Sequence, residues 1–230
     1  LVAMVESLRR PPTEAFARLC DVAMSLDGTM TRLYHATTWH KAPEHFRLWL
    51  AEEQDATGLR SWEPVIVPGL LQTEAYAREM ISKTPNITAE QIEQRLVARM
   101  QRQSILRRDS PPTLNFVMDE AVLHRKAGEP EMMQEQLSHL LEVAQQPTVT
   151  LQVVPYETGL HCGLAGGFII AERNGSPYVA FTEGQPHGRT TADNTEIARL
   201  MLRHDSIRAE ALPFRHSIRL IQEAVNAHGA

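Results

Sequence analysis

Trp62-Glu63-Pro64-Val65-Ile66-Val67-Pro68-Gly69-Leu70-Leu71-Gln72-Thr73-Glu74-Ala75-Tyr76-Ala77 holds a strand, a turn and a helix start in sixteen positions. Proline fixes φ and glycine accepts positive φ, so Pro68-Gly69 sets the turn. Thr73 is placed to cap the next helix, whose first turn carries Glu74. A strand that passes into a helix across one tight turn points to an α/β chain. The stretch offers no nucleophile and no group of metal ligands.

The alternation continues downstream. Thr88-Ala89-Glu90-Gln91 is a capping box that opens a long helix, with Ile92, Leu96 and Met100 four apart. Leu114 to Met118 predicts a strand, and Asp119 is placed to cap a short helix from Glu120 to Lys126. Pro130 suits the first turn of a helix reaching Gln145, and the β-branched run Val149 to Val154 predicts a second strand. A strand-helix-strand unit of this length predicts parallel pairing. Phe168 to Glu172 and Tyr178 to Phe181 read as a hairpin about Asn174-Gly175. Two helices follow, one with Ile197, Leu200, Met201, His204 and Ile207 on a face, the other with Ile218, Ile221 and Val225.

Upstream, Phe46, Trp49, Leu50 and Glu53 fall at helical spacing, with Gly58 as the expected stop. Thr13 is placed to cap a helix holding Phe16, Leu19, Cys20 and Ala23, and Asp27-Gly28 turns the chain into a further short helix. The expected fold is helix-rich α/β (α+β): a small mixed sheet of four to five strands flanked by helices, behind an incomplete helical segment. The natural division puts one part at 1–36 and the other at 37–230.

Composition narrows the function classes. With 43% hydrophobic and 22% charged residues, and no apolar run near the ~20 residues of a membrane helix, a soluble protein is expected. A net charge of -5 confines any DNA contact to a local surface. Cys20 and Cys162 have neither metal nor redox spacing, which fits a reduced cytoplasmic setting. The chain begins with Leu1 rather than Met, so it reads as the middle of a longer protein.

Several motifs occur in order: the Trp62 to Ala77 stretch, Arg99-Met100-Gln101-Arg102-Gln103, Val117-Met118-Asp119-Glu120, Val154-Pro155-Tyr156, Gly166-Gly167-Phe168 and Phe181-Thr182-Glu183. This set resembles a family of actinobacterial XRE-type helix-turn-helix transcriptional regulators, antitoxin-like, that carry a C-terminal domain of unknown function. Val5 to Thr13 looks like the junction after a recognition helix, which makes residues 1–36 the second half of a helix-turn-helix domain, with Ser7, Arg9 and Arg10 as its DNA-facing residues. The resemblance implies DNA binding through the full-length protein, a homodimer, and a small partner protein encoded nearby. It implies no cofactor and no catalytic chemistry.

Arg95, Arg99 and Arg102 share one helical face. That stripe is either an anion- or partner-binding surface or a solvated face balanced by Glu90, Glu93 or core carboxylates. Asp119, Glu120 and Glu183 end predicted strands, where α/β sheets place ligands. The loop from Glu157 to Gly167 runs into a strand, so it presents no helix N-terminus to a phosphate, and adjacent His161 and Cys162 point apart when extended. Trp49 and Trp62 read as core or interface anchors, and the scattered histidines predict no metal site. The ligand- or partner-binding set expected is Trp62, Gln72, Tyr76, Arg99, Arg102, Gln103, Glu120, His161 and Glu183, with no catalytic residue. The expected function is the effector- or partner-sensing and dimerisation part of a transcription regulator, not an enzyme. Two alternatives stand beside it: a hydrolase or transferase using Glu120, Glu183 or His161, and an interaction module that neutralises a small partner.

Overall fold

A computed structural model describes residues 2–6, 12–39 and 42–229; Ser7, Arg9, Arg10 and His40 lie outside the described residues. The chain opens with helices α1 (Val2–Glu6), α2 (Glu14–Met24) and α3 (Thr29–Trp39). Thr13 Oγ1 accepts the Phe16 N–H at 3.2 Å, the cap its position predicts. Asp21 of α2 accepts the N–H groups of Met30 and Thr31 at 2.7 and 2.9 Å and the Thr31 hydroxyl at 2.6 Å. One helix thus satisfies the open N-terminus of the next and closes the pair as a hairpin.

The remaining elements are α4 (Glu44–Gln54), β1 (Gly58–Glu63), α5 (Glu74–Ser82), α6 (Ala89–Arg102), β2 (Thr113–Asp119), α7 (Ala121–His124), α8 (Pro130–Val143), β3 (Val149–Val154), β4 (Phe168–Arg173), β5 (Ser176–Thr182), β6 (Arg189–Thr191), α9 (Asn194–Glu210) and α10 (Phe214–His228). The strands form one sheet in the order β3-β2-β1-β4-β5-β6. Its β1-β2-β3 half is parallel and its β4-β5-β6 half antiparallel, joined by an antiparallel β1–β4 pair. The helix-rich mixed α/β fold is as the sequence predicts, with six strands rather than four or five. β6 is three residues of Arg-Thr-Thr with no apolar alternation to signal it.

Gly58 departs from expectation. It opens β1 rather than ending α4, which closes at Asp55. A Cβ at position 58 would meet Glu172 Oε2 at 2.8 Å and Thr113 Oγ1 at 3.0 Å, so the glycine serves close cross-strand packing.

Strand periodicity sorts the core into two layers. Leu59, Phe116, Met118, Leu151, Ile169 and Phe181 pack with Trp49 of α4, Tyr76 of α5, Leu137 of α8 and Ile221 of α10. Trp62, Val117, Val154, Phe168, Ile170 and Ala180 face the other way, against Ile197 and Ile207 of α9. The outer edge of β3 is covered rather than open: Leu212 donates its N–H to Val153 O at 2.8 Å, and Ser217 Oγ accepts the Val153 N–H at 3.0 Å.

Candidate functional site: a charged cavity at the end of the first strand

The turn after β1 is fixed by side chains from distant elements. Gln136, fully buried on α8, accepts the Thr73 N–H and donates to Leu71 O, both at 2.8 Å. Gln72 donates to Val67 O at 2.8 Å, and Gln103 donates to Gln72 O at 2.6 Å. Tyr76 Oη accepts the Val67 N–H at 3.3 Å, while Thr73 caps α5 through the Tyr76 N–H. These groups satisfy the polar backbone of a loop that lies inside the protein.

Beneath that turn, α6 presents Arg99 and Arg102. Arg102 is bound at two points by Glu53 of α4, Nε to Oε2 at 2.5 Å and Nη2 to Oε1 at 2.7 Å. Trp49 Nε1 donates a third bond to the same carboxylate at 3.0 Å, and the guanidinium lies 5.0 Å from the Phe46 ring centroid. The charge of the guanidinium is thereby neutralised, and its Nη1 is the nitrogen left outside the Glu53 contacts. Arg99 donates Nη1 to Gln72 Oε1 at 2.6 Å, and among the described residues it forms no ion pair. Gly69 makes this approach possible: a Cβ there would stand 2.9 Å from Arg102 Nη1 and 3.3 Å from Arg99 Nη1.

A cavity of about 560 Å³ opens beside these groups. Glu63 at the end of β1 and Glu183 just beyond β5 line it together with Arg99 and Arg102, and Phe46, Ile169 and Phe181 supply apolar wall. Leu59, Ser61 and Glu63 share one face of β1, and Phe181 and Glu183 share the same face two strands away, so alternation aims both carboxylates at α6. Gly167 lies between them; a Cβ there would meet Glu183 Oε2 at 3.3 Å and Trp62 O at 3.2 Å. Glu63 is 3% exposed. One of its oxygens accepts the Ser61 hydroxyl at 3.0 Å, and neither carboxylate is ion-paired among the described residues.

Burial, reinforced by the Glu183 carboxylate, pushes the Glu63 carboxyl up to about 8 against the pull of Arg102 and Arg99. Glu183, at the open mouth of the cavity, is raised as well, chiefly by desolvation. Burial and the adjacent Arg102 charge lower Arg99 to about 10. At the rim, His45 stacks on His187 with centroids 4.7 Å apart, and burial lowers the His45 pKa.

Residues 46–223 match the model of a family described as a domain of unknown function, DUF5753. The chain belongs to that family. No curated protein and no solved structure matches it. The DUF5753 match starts within α4, so it takes in every charged residue of the cavity and leaves out Pro43 and His45 at the rim.

Within the DUF5753 region the nine expected binding residues part into separate places. Arg99, Arg102 and Glu183 line the cavity, and Gln72, Gln103 and Tyr76 hold the turn above it. Trp62 belongs to the opposite face of the sheet: it is wholly buried, meets the His161 ring edge-on, and donates Nε1 to Gly163 O at 2.8 Å. His161 lies with it, Nδ1 accepting the Gly163 N–H at 3.3 Å and Nε2 3.5 Å from Asp119 Oδ2. Glu120 accepts the Tyr156 N–H at 2.8 Å. Sequence reasoning passed over Glu63 and Glu53. The signal for Glu63 was available, since it too is an acid at the end of a strand; Glu53 stood out as an acid on the apolar face of Phe46, Trp49 and Leu50, but nothing local named its partner, 49 residues away.

Proposed function

We propose that this chain is the effector-sensing and dimerisation part of a cytoplasmic, DNA-binding transcription regulator, and that the effector binds in the cavity between β1, β5 and α6. The observation that carries the reading is the set of ionisable side chains around a 560 Å³ space, three of which have no ionic partner among the described residues. That volume lies in the range of small-molecule sites, and the carboxyl end of a parallel strand beside a reversal of strand direction is where α/β sheets place ligands. Acidic and basic groups that face one space without pairing offer complementary contacts to a charged occupant. Ordered motifs from residues 45 to 225 that resemble those of XRE-type regulators supply the link to DNA, which would run through the full-length protein and the segment holding Ser7, Arg9 and Arg10.

Binding rather than bond-making fits the described residues. His161 Nδ1 is taken by a backbone N–H, the Cys162 thiol contacts Arg203 O at 3.9 Å, and Glu120 and Glu183 lie at different sites, so the residues of the hydrolase or transferase alternative do not converge. Among the described residues no helix is long and apolar enough to cross a membrane. Native mass spectrometry of freshly purified protein should show a retained small molecule. The parent protein's affinity for its own upstream DNA should change when that molecule is removed, and Glu63→Gln should abolish the change while leaving basal DNA binding. Equal DNA affinity with and without the molecule would overturn the reading; co-purification of a small protein in its place would favour the partner-neutralising alternative.

A further inference from the structure

Resting on the sensing reading, we propose that the cavity takes a zwitterion: a small amino compound whose ammonium sits between Glu63 and Glu183 while its carboxylate is held by Arg99.

The charge count of the lining points there. Glu53 already neutralises Arg102 at two points, so Arg102 adds no net charge to the lining. What remains is one guanidinium, Arg99, facing two carboxylates, Glu63 and Glu183. Arg99 uses one donor on the neutral Gln72 amide and is ion-paired to neither acid, so the opposite charges face the same space without closing on one another. A simple anion would gain one guanidinium and meet two acids. An apolar molecule would leave Glu63, 3% exposed, with one oxygen unbonded. An ammonium satisfies that oxygen and removes the excess of acid, and a carboxylate on the same molecule completes the fork of Arg99. Phe46, Ile169 and Phe181 fit the carbon skeleton between the two ends.

Burial and the Glu183 carboxylate keep a proton on Glu63 up to about pH 8. Ligand ammonium takes the proton's place. Binding therefore releases a proton, and affinity should rise with pH by roughly twentyfold between about pH 6.5 and 8.5, a range in which an alkyl amine like that of lysine stays charged.

The test is a calorimetric and NMR binding series on the intact chain with the standard amino acids and the linear ω-amino acids at millimolar concentration. Each binder is then compared with its amine-only and acid-only analogues. The zwitterion should bind at least about tenfold more tightly than the acid-only analogue, and Glu63→Gln should remove both that preference and the pH dependence. Glu183→Gln, at the open mouth where folding is not at stake, should weaken the same binders. An acid-only analogue that binds as well, affinity unchanged in both variants, or no binder in the series would overturn the proposal. The sensing reading is judged separately, by the DNA response to whatever molecule the native protein retains.

Discussion

Glu53 and Arg102 grip each other at two points, 2.5 and 2.7 Å, with 1% and 4% of their side chains exposed. The pair joins α4 to α6 across the back of the cavity and fixes which face of α6 looks inward. It also leaves Arg99 as the guanidinium available to a ligand.

Removing one partner of that pair strands a buried charge. Glu53→Gln should cost about 3–5 kcal/mol of unfolding free energy, measured by urea titration. The double variant Glu53→Gln/Arg102→Met should recover much of the loss, because no buried charge remains. Single and double effects that simply add would show that the two side chains act independently.

The raised Glu63 pKa has a definite sign in stability. An unfolded chain ionises this carboxyl near 4.5, whereas the folded protein retains its proton until about pH 8. The folded state binds more protons across that window, so the Glu63 contribution is fully present below about 4.5 and is lost as pH rises through about 8. Measured against Glu63→Gln, the wild type should lose on the order of 4 kcal/mol between about pH 5 and 9. A gap between the two proteins that stays flat over that range would contradict the burial of an unpaired carboxyl.

Two glycines near the turn should respond differently to alanine. At Gly163 the new Cβ would stand 2.7 Å from the Trp62 ring, which is rigid and wholly buried. Gly163→Ala should therefore destabilise by about 1–3 kcal/mol. At Gly69 the nearest atoms are guanidinium ends: Arg102 Nη1, which takes no part in the two Glu53 bonds, and Arg99 Nη1, held by the Gln72 amide, so a small shift relieves the contact. Gly69→Ala should cost less in thermal unfolding and more in ligand affinity; the reverse order would mean that the arginines are locked more firmly than the tryptophan.

Trp62 Nε1 is the tie that holds the 159–167 loop to the sheet. Trp62→Phe should leave Gly163 O without its buried donor, costing about 1–3 kcal/mol, and should raise amide exchange through that loop. Because Trp62 faces α9, binding in the cavity should be altered far less than by Glu63→Gln. Comparable binding losses in the two variants would place both residues in one functional unit.

Local features were legible before any coordinates. The Thr88/Gln91 capping box, the Thr13 and Thr73 caps, Pro130 in the first turn of α8 and the Asn174-Gly175 hairpin all appear where the sequence puts them. Each depends on groups within a few residues of one another. Of the two readings of the arginine stripe, balance by a core carboxylate holds for Arg102, whereas Gly58 is not the helix stop expected because its role lies in two neighbouring strands.

The sequence by itself determined the succession of strands and helices, since caps, turns and apolar periodicity act over one or two turns of chain. Only the tertiary structure decided the site. Trp62 and Glu63 are adjacent, yet strand alternation sends one to α9 and the other to the cavity, and nothing local says which face of the sheet will receive α6. That choice is made by long-range packing, which also brings Glu183 and Arg99 around one space and gives Arg102 its partner from α4.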